Sequence, residues 1–100
     1  MLLNNITFSI EPQTEKSFCH FLKKELSDFL NQIGIIQEIK IYKLLTEIDN
    51  GAETIALQLD FASIEQYIQF ETEFKAATFD KINEKFSAKY LMFSTLLERV

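Results

Sequence analysis

One hundred residues suffice for a single small domain, residues 1–100, and an apolar content of 47% is that of a globular chain rather than a disordered one. The net charge of −5 argues against a nucleic-acid partner, which needs a basic stripe to displace phosphate counterions. One cysteine cannot close an intramolecular disulfide, so the chain is expected in a reducing compartment, the cytoplasm. No apolar run approaches the ~20 residues that span a bilayer, so no membrane partner is expected.

The opening MLLNNITFSI lacks the charged n-region and cleavage site of a signal peptide and alternates like a strand instead. Neither end carries a lipidation motif. Over residues 3–11, Ile6, Phe8 and Ile10 point one way and Asn5, Thr7 and Ser9 the other, the period-2 signature of a half-buried strand. Pro12 ends it, and Thr14 is the expected N-cap of the first helix.

Residues 15–33 read as that helix, with Phe18, Phe21, Leu22, Leu26, Phe29, Leu30 and Ile33 at three- and four-residue steps. Gly34 is the expected stop, because glycine accepts the left-handed C′ conformation. Residues 36–48 form a second strand rich in β-branched side chains. Asp49-Asn50-Gly51 supplies a tight hairpin turn, and residues 53–61 alternate with Ile55, Leu57, Leu59 and Phe61 toward the core.

Ser63 and Gln66 form a capping box before a second helical stretch. At 100° steps, Ile64, Tyr67, Ile68, Phe70 and Phe74 share one face, while Phe79, Ile82 and Phe86 centre roughly 100° away from it. One rigid helix would expose one of these groups. A break near Lys75 to Thr78 is therefore expected, with Thr78 capping a second short helix. Residues 89–98 are the last strand, apolar on both faces. The order β-α-β-β-α-β predicts an α+β, ferredoxin-like domain: a four-stranded antiparallel sheet with the helices on one face.

The other face of that sheet is left open. Its central strands carry Asn5, Thr7, Ser9, Ala56, Gln58 and Asp60. The second strand adds Tyr42 and Leu44, or else Ile39, Ile41 and Leu45. The last adds Leu91, Phe93 and Leu97, or else Tyr90, Met92 and Leu96. Either alternation puts large apolar groups where a monomer would meet water, which marks an interface. A face-to-face homodimer, a dimeric α+β barrel, covers it most simply. The interface candidates are Tyr42, Leu44, Leu91, Phe93 and Leu97. The plainer alternative has the last strand folding partly over its own sheet. Two such faces together would enclose a wet cavity lined by Thr7, Ser9, Tyr42 and Gln58, where a small ligand of unknown identity would fit.

Candidate chemical groups are few. Cys19 and His20 are adjacent on the helix and diverge by 100°, so they cannot act as a pair. They read as a semi-buried packing thiol and a surface imidazole. One cysteine and one histidine cannot supply a structural zinc site unless carboxylates complete it, so no metal is expected. Glu25 falls inside the apolar arc, where burial would raise its pKa and fit it for acid–base work. It is the weak catalytic candidate; the plainer reading has it at the arc's margin, snorkelling out or paired with a lysine across the dimer. Glu47, Asp49 and Glu53 cluster at the hairpin without the spacing of a calcium loop. The exposed central-strand positions carry no aromatic for base stacking, and no dinucleotide, phosphate-loop or hydrolase-elbow motif occurs, so no cofactor is expected.

The opening NITFSIE, the stretch YKLLTEIDNGAETIALQLDFASIEQY and the close KFSAKYLMFSTLLE resemble the small bacterial proteins grouped as domain of unknown function family 4286. The most specific pieces are the aromatic-x-T-L-L-E close, Phe93 to Glu98, and the Ser-x-x-x-Tyr start of the second helix, Ser63 and Tyr67. The resemblance implies the same ferredoxin-like dimer and no assigned activity. Members often carry a histidine and proline late in the first helix and a His-Ala-Pro step in the second. Here those positions hold Leu26 and Asp28, and Phe74, Lys75 and Ala76; Glu25 alone survives beside the first. If those histidines make a site, this chain lacks it. The leading reading is a non-enzymatic ligand-binding or interaction module that dimerises. The alternatives are a cofactor-free enzyme of the dimeric barrel type, monooxygenase- or isomerase-like, working in a cavity between sheet and helices, and a subunit that offers its open face to a different protein.

Overall fold

A computed structural model describes residues 1–46 and 51–100. Strands β1 (Leu2–Ile10), β2 (Glu38–Lys43), β3 (Glu53–Phe61) and β4 (Tyr90–Glu98) form one antiparallel sheet in the order β2-β3-β1-β4. Helix α1 covers residues 15–33 and helix α2 residues 64–86. This is the ferredoxin-like arrangement. Ile6, Phe8 and Ile10 on β1 and Ile55, Leu57, Leu59 and Phe61 on β3 are all buried beneath the helices.

Both helices depart from regular winding at their middle. In α1 the residues Leu22–Leu26 form a wide, π-helical turn, flanked by α-helical Glu15–Phe21 and Ser27–Ile33. The Ser27 amide donates to the Leu22 carbonyl five residues back, and the Ser27 hydroxyl donates to the same oxygen at 2.7 Å. The consequence is a core stripe at four-residue spacing: Phe18, Leu22, Leu26 and Leu30 are all fully buried. In a regular α-helix this spacing drifts, and Leu30 would lie about 120° around the axis from Phe18. The wide turn removes that drift.

Helix α2 uses the same device at Phe70–Phe74, where the Lys75 amide donates to the Phe70 carbonyl. Phe74 leaves regular helical geometry, at φ −124° and ψ −17°. The shift of apolar face expected near 75–78 is thus achieved by a wide turn just upstream, and the helix continues through it. Thr78 is not a cap. It is buried in mid-helix, and its hydroxyl donates to the Phe74 carbonyl at 2.8 Å, serving the irregular turn from below. Ile82 and Phe86 lie beyond it on the core side, whereas Ile64 and Ile68 of the first expected face point to solvent.

The element ends obey local chemistry. Gly34 stops α1 at φ 83°, in the left-handed region. The Ser63 hydroxyl accepts from the Gln66 amide at 3.2 Å, one half of the expected capping box. Thr14 does not cap α1. Pro12, whose ring fixes a helical φ, starts a single 3-10 turn over Pro12–Thr14, so Thr14 already has helical dihedrals and its amide donates to the Glu11 carbonyl. Strand β2 is shorter than the expected 36–48, because Leu44 and Leu45 leave the ladder after a last bond from the Leu44 amide to the Thr54 carbonyl. Asp49 and Asn50 of the hairpin turn, with Glu47 of the acidic cluster, lie outside the described residues; Gly51 has φ 72°.

The phenylalanines explain how so small a chain closes its core. Phe18 sits edge-on to Phe8 (centroids 5.0 Å apart) and to Phe86 (5.1 Å), and Phe86 meets Phe21 at 5.4 Å. One ring on α1 thereby joins β1 to the end of α2. A second group, Phe61 with Phe70 and Tyr67, joins β3 to the start of α2. Burial and the neighbouring Glu71 carboxylate push the Tyr67 phenol up to about 12. Phe18→Ala is expected to destabilise the fold by about 3–5 kcal/mol in urea unfolding, the range for emptying an aromatic core site. A loss below about 1 kcal/mol would contradict a central role for this ring.

Candidate functional site

With the helices on one side, the cross-strand register sets the composition of the other. Tyr42, Ala56, Thr7 and Phe93 stand side by side across the four strands; Lys40, Gln58, Asn5 and Thr95 form the next row. Ser9 lies beside Leu91, and Leu3 beside Leu97. Of the two alternations open for β2 and β4, the sheet adopts the one that puts Tyr42, Leu91, Phe93 and Leu97 on this open face. Ile39, Ile41, Tyr90 and Met92 pack against the core instead. Leu91 is 77% exposed, Phe93 62%, Tyr42 54%, Leu97 50% and Leu44, just past the end of β2, 42%. The last strand does not fold over its own sheet; its apolar residues on the open face are bare.

Inside this apolar rim the face is polar and internally bonded. Gln58 Nε2 donates to Asn5 Oδ1 at 3.3 Å, and Asn5 Nδ2 donates to Thr7 Oγ1 at 3.0 Å. Gln58 and Thr7 are therefore linked through Asn5, a residue the sequence placed on this face without assigning it a role. Tyr42 is two strands away from Thr7, about 10 Å at ordinary strand spacing, and Ser9 lies one row further along. In a single chain these four form an open floor.

Two polar features were not singled out from sequence. Asp60 is only 4% exposed although it lies on the open face, and Lys40 Nζ reaches it at 3.2 Å, with Glu38 at 3.9 Å on the other side. The hydrogen bond to Asp60 raises the Lys40 pKa. Lys40 shares its alternation with Tyr42, so this pairing is implied once the register is known. Asn4 is the second. It is buried on the helix side, donating from Nδ2 to Ser94 Oγ at 2.7 Å and to the Thr95 carbonyl at 3.1 Å. It ties β1 to β4, while its Oδ1 has no hydrogen-bond partner among the described residues.

Glu25 does not enter the core. The wide turn at Leu22–Leu26 rotates it outward, where its carboxylate binds Lys85 of α2 in the same chain at 2.6 Å, both side chains about half exposed. The Lys85 hydrogen bond holds its carboxyl below the ordinary value. The Lys85 ammonium also lies 5.6 Å from the centre of the Phe21 ring. The burial that the catalytic reading needed is absent; Glu25 points out, as the plainer reading had it, and its lysine partner belongs to the same chain rather than to a second copy. His20 is exposed; Cys19 is half-buried, its thiol pushed up by burial and then by Glu15. Among the described residues no three His, Cys, Asp or Glu side chains come together as a metal site, and no helix is long and apolar enough to cross a membrane.

The fold recurs in solved structures. HapK from Hahella chejuensis has a TM-score of 0.72 at 8% identity, over 100% of this chain and 93% of that one. A dimeric ferredoxin-like protein from an uncultured marine organism has a TM-score of 0.67 at 16% identity, over 100% and 95%. An antibiotic biosynthesis monooxygenase has a TM-score of 0.62 at 16% identity, over 100% and 99%. At such identities the likeness is one of fold. Among curated proteins none matches the chain. The family model for "Domain of unknown function (DUF4286)" matches residues 1–100, and the chain belongs to that family.

Proposed function

We propose that this protein is a single-domain homodimeric module of the cytoplasm, whose two open sheet faces pack together as a dimeric α+β barrel and which binds a ligand or partner without catalysing a reaction. The observation that carries this reading is the bare apolar rim of Tyr42, Leu44, Leu91, Phe93 and Leu97 on the one layer that the helices leave uncovered. Exposed apolar groups along both outer strands cost solubility unless they are buried, and a second copy offers the same rim in return. The dimeric ferredoxin-like relative in fold supports the same arrangement. Facing copies would enclose the polar floor of Thr7, Ser9, Tyr42 and Gln58, already joined in part through Asn5.

A cofactor-free enzyme is the second reading, favoured by the likeness in fold to an antibiotic biosynthesis monooxygenase. It is the weaker one. The space between sheet and helices is filled by interlocking rings, and Glu25 is ion-paired at the surface.

Light scattering over a dilution series should give the mass of a dimer down to sub-micromolar concentration. The double variant Leu91→Glu, Phe93→Glu should halve that mass while leaving the circular dichroism unchanged, since neither side chain contributes to the core. Leu45→Glu, at an exposed leucine off the sheet, is the control and should stay dimeric. A monomeric parent protein, or a double variant that stays dimeric, would refute the face-to-face arrangement. Glu25→Gln should preserve both the mass and the fold, as expected for loss of an exposed ion pair. A clear gain in thermal stability would instead mean that the carboxylate carries a burial cost, and would favour the enzyme reading.

A further inference from the structure

The sheet has a second uncovered feature, away from the open face. Strand β2 is an edge strand, bonded to β3 alone, and the first half of α1 runs alongside it. Between them lies a groove of about 560 Å³, within the size range of small-molecule sites. Its floor is the half-buried Ile41 of β2, backed by the core residue Ile55 of β3, with the half-buried Cys19 thiol on the helix side. Its helical wall carries Lys16, His20 and Lys23, which recur at four- and three-residue steps and so form one column.

The charges of this groove are unequally matched. Lys43 is engaged, at 3.3 Å from Glu15 and 3.6 Å from Glu53. Lys16 and Lys23 have no ion-pair partner among the described residues, in a chain of net charge −5 where acidic groups outnumber basic ones. Two such ammonium groups, about two turns apart on one helical face and above an apolar floor, match a molecule with an anionic head and an apolar body. The Lys43–Glu15 bridge joins the end of β2 to the start of α1 and closes the groove there. An extended peptide laid along the β2 edge would have to break it; a short ligand would not.

We propose that this groove binds a small amphipathic carboxylate, its apolar body against Ile41 and Cys19 and its carboxylate between Lys16 and Lys23. This rests on the reading of the protein as a binding module and adds a ligand class to it. Among the described residues Tyr42 alone is common to this groove and the open face, so the two sites are tested separately.

The probe is octanoate, with octanol as its uncharged counterpart, titrated into the isotopically labelled full chain and monitored by amide chemical shifts. Saturable shifts are expected at Cys19, His20, Ile41 and Ile55 with octanoate and not with octanol. Lys16→Glu with Lys23→Glu should weaken binding by about tenfold or more, as expected for a reversed charge at the ligand head. Bound octanoate should also slow the reaction of Cys19 with a disulfide reagent, an independent readout because this is the chain's single thiol. Shifts confined to the open face, equal binding of octanol, or an unchanged affinity in the double variant would each overturn the proposal. None of these results bears on the mass of the protein, so failure here is distinguishable from failure of the dimer.

Discussion

A β-sheet has two faces, and this chain has helices for only one of them. Most of the molecule is a consequence of that imbalance. Alternate residues of β1 and β3 are committed to the helix side, where seven large apolar side chains are buried. The intervening residues must form the second face whatever their polarity, because a one-residue slip would turn the whole core outward. On the central strands these intervening residues are polar and bond one another through Asn5. On the outer strands they are leucine, phenylalanine and tyrosine. A polar centre flanked by apolar groups is what the proposed face-to-face dimer would bury.

The helices solve a matching problem on the opposite side. To lie along a sheet, each must keep one face down over more than four turns, and regular winding does not return to the same face every four residues. Each helix inserts one wide turn, at Leu22–Leu26 and at Phe70–Phe74. Such turns leave backbone groups poorly served, and nearby hydroxyls compensate. Ser27 bonds the Leu22 carbonyl and Thr78 the Phe74 carbonyl. The result is a straight column of buried side chains against which the rings of Phe8, Phe18 and Phe86 interlock.

This device marks where the sequence was legible and where it was not. Strand alternation, the Gly34 stop and the Ser63 cap could be read directly, because each depends on one residue's local chemistry. The open face of β1 and β3 was legible for the same reason. The faces of β2 and β4 were not, since both alternations are apolar. Contacts decide them: Tyr90 turns inward because its ring packs on Phe8 at 5.5 Å and its hydroxyl donates to Asn83 at 2.6 Å. That leaves Leu91 and Phe93 outside. Helix phase was the other limit. Steps of 100° put Glu25 within the apolar arc and left open whether it is buried or snorkels out; the wide turn a few residues long takes it out to the Lys85 ion pair. Thr78 reads as a cap because a threonine beside a helix break usually is one, whereas here it supports the turn from within the helix. Asn4 was hidden by its own chemistry. Its place in the alternation is a core position, but only the Ser94 and Thr95 groups brought beside it by β4 make an amide tolerable there.

The surface thus divides into an open sheet face, assigned to self-association, and a cationic groove at the β2 edge that remains outside it. Self-association through the open face is the central claim. A sample mixing isotopically labelled and unlabelled chains reports contacts between copies alone. Intermolecular nuclear Overhauser effects are expected from the Phe93 and Leu91 side chains to residues of the same face, Tyr42, Thr7 and Leu97 among them. Intermolecular contacts arising only from residues of α1 or α2, or none at concentrations where the mass is that of a dimer, would contradict it.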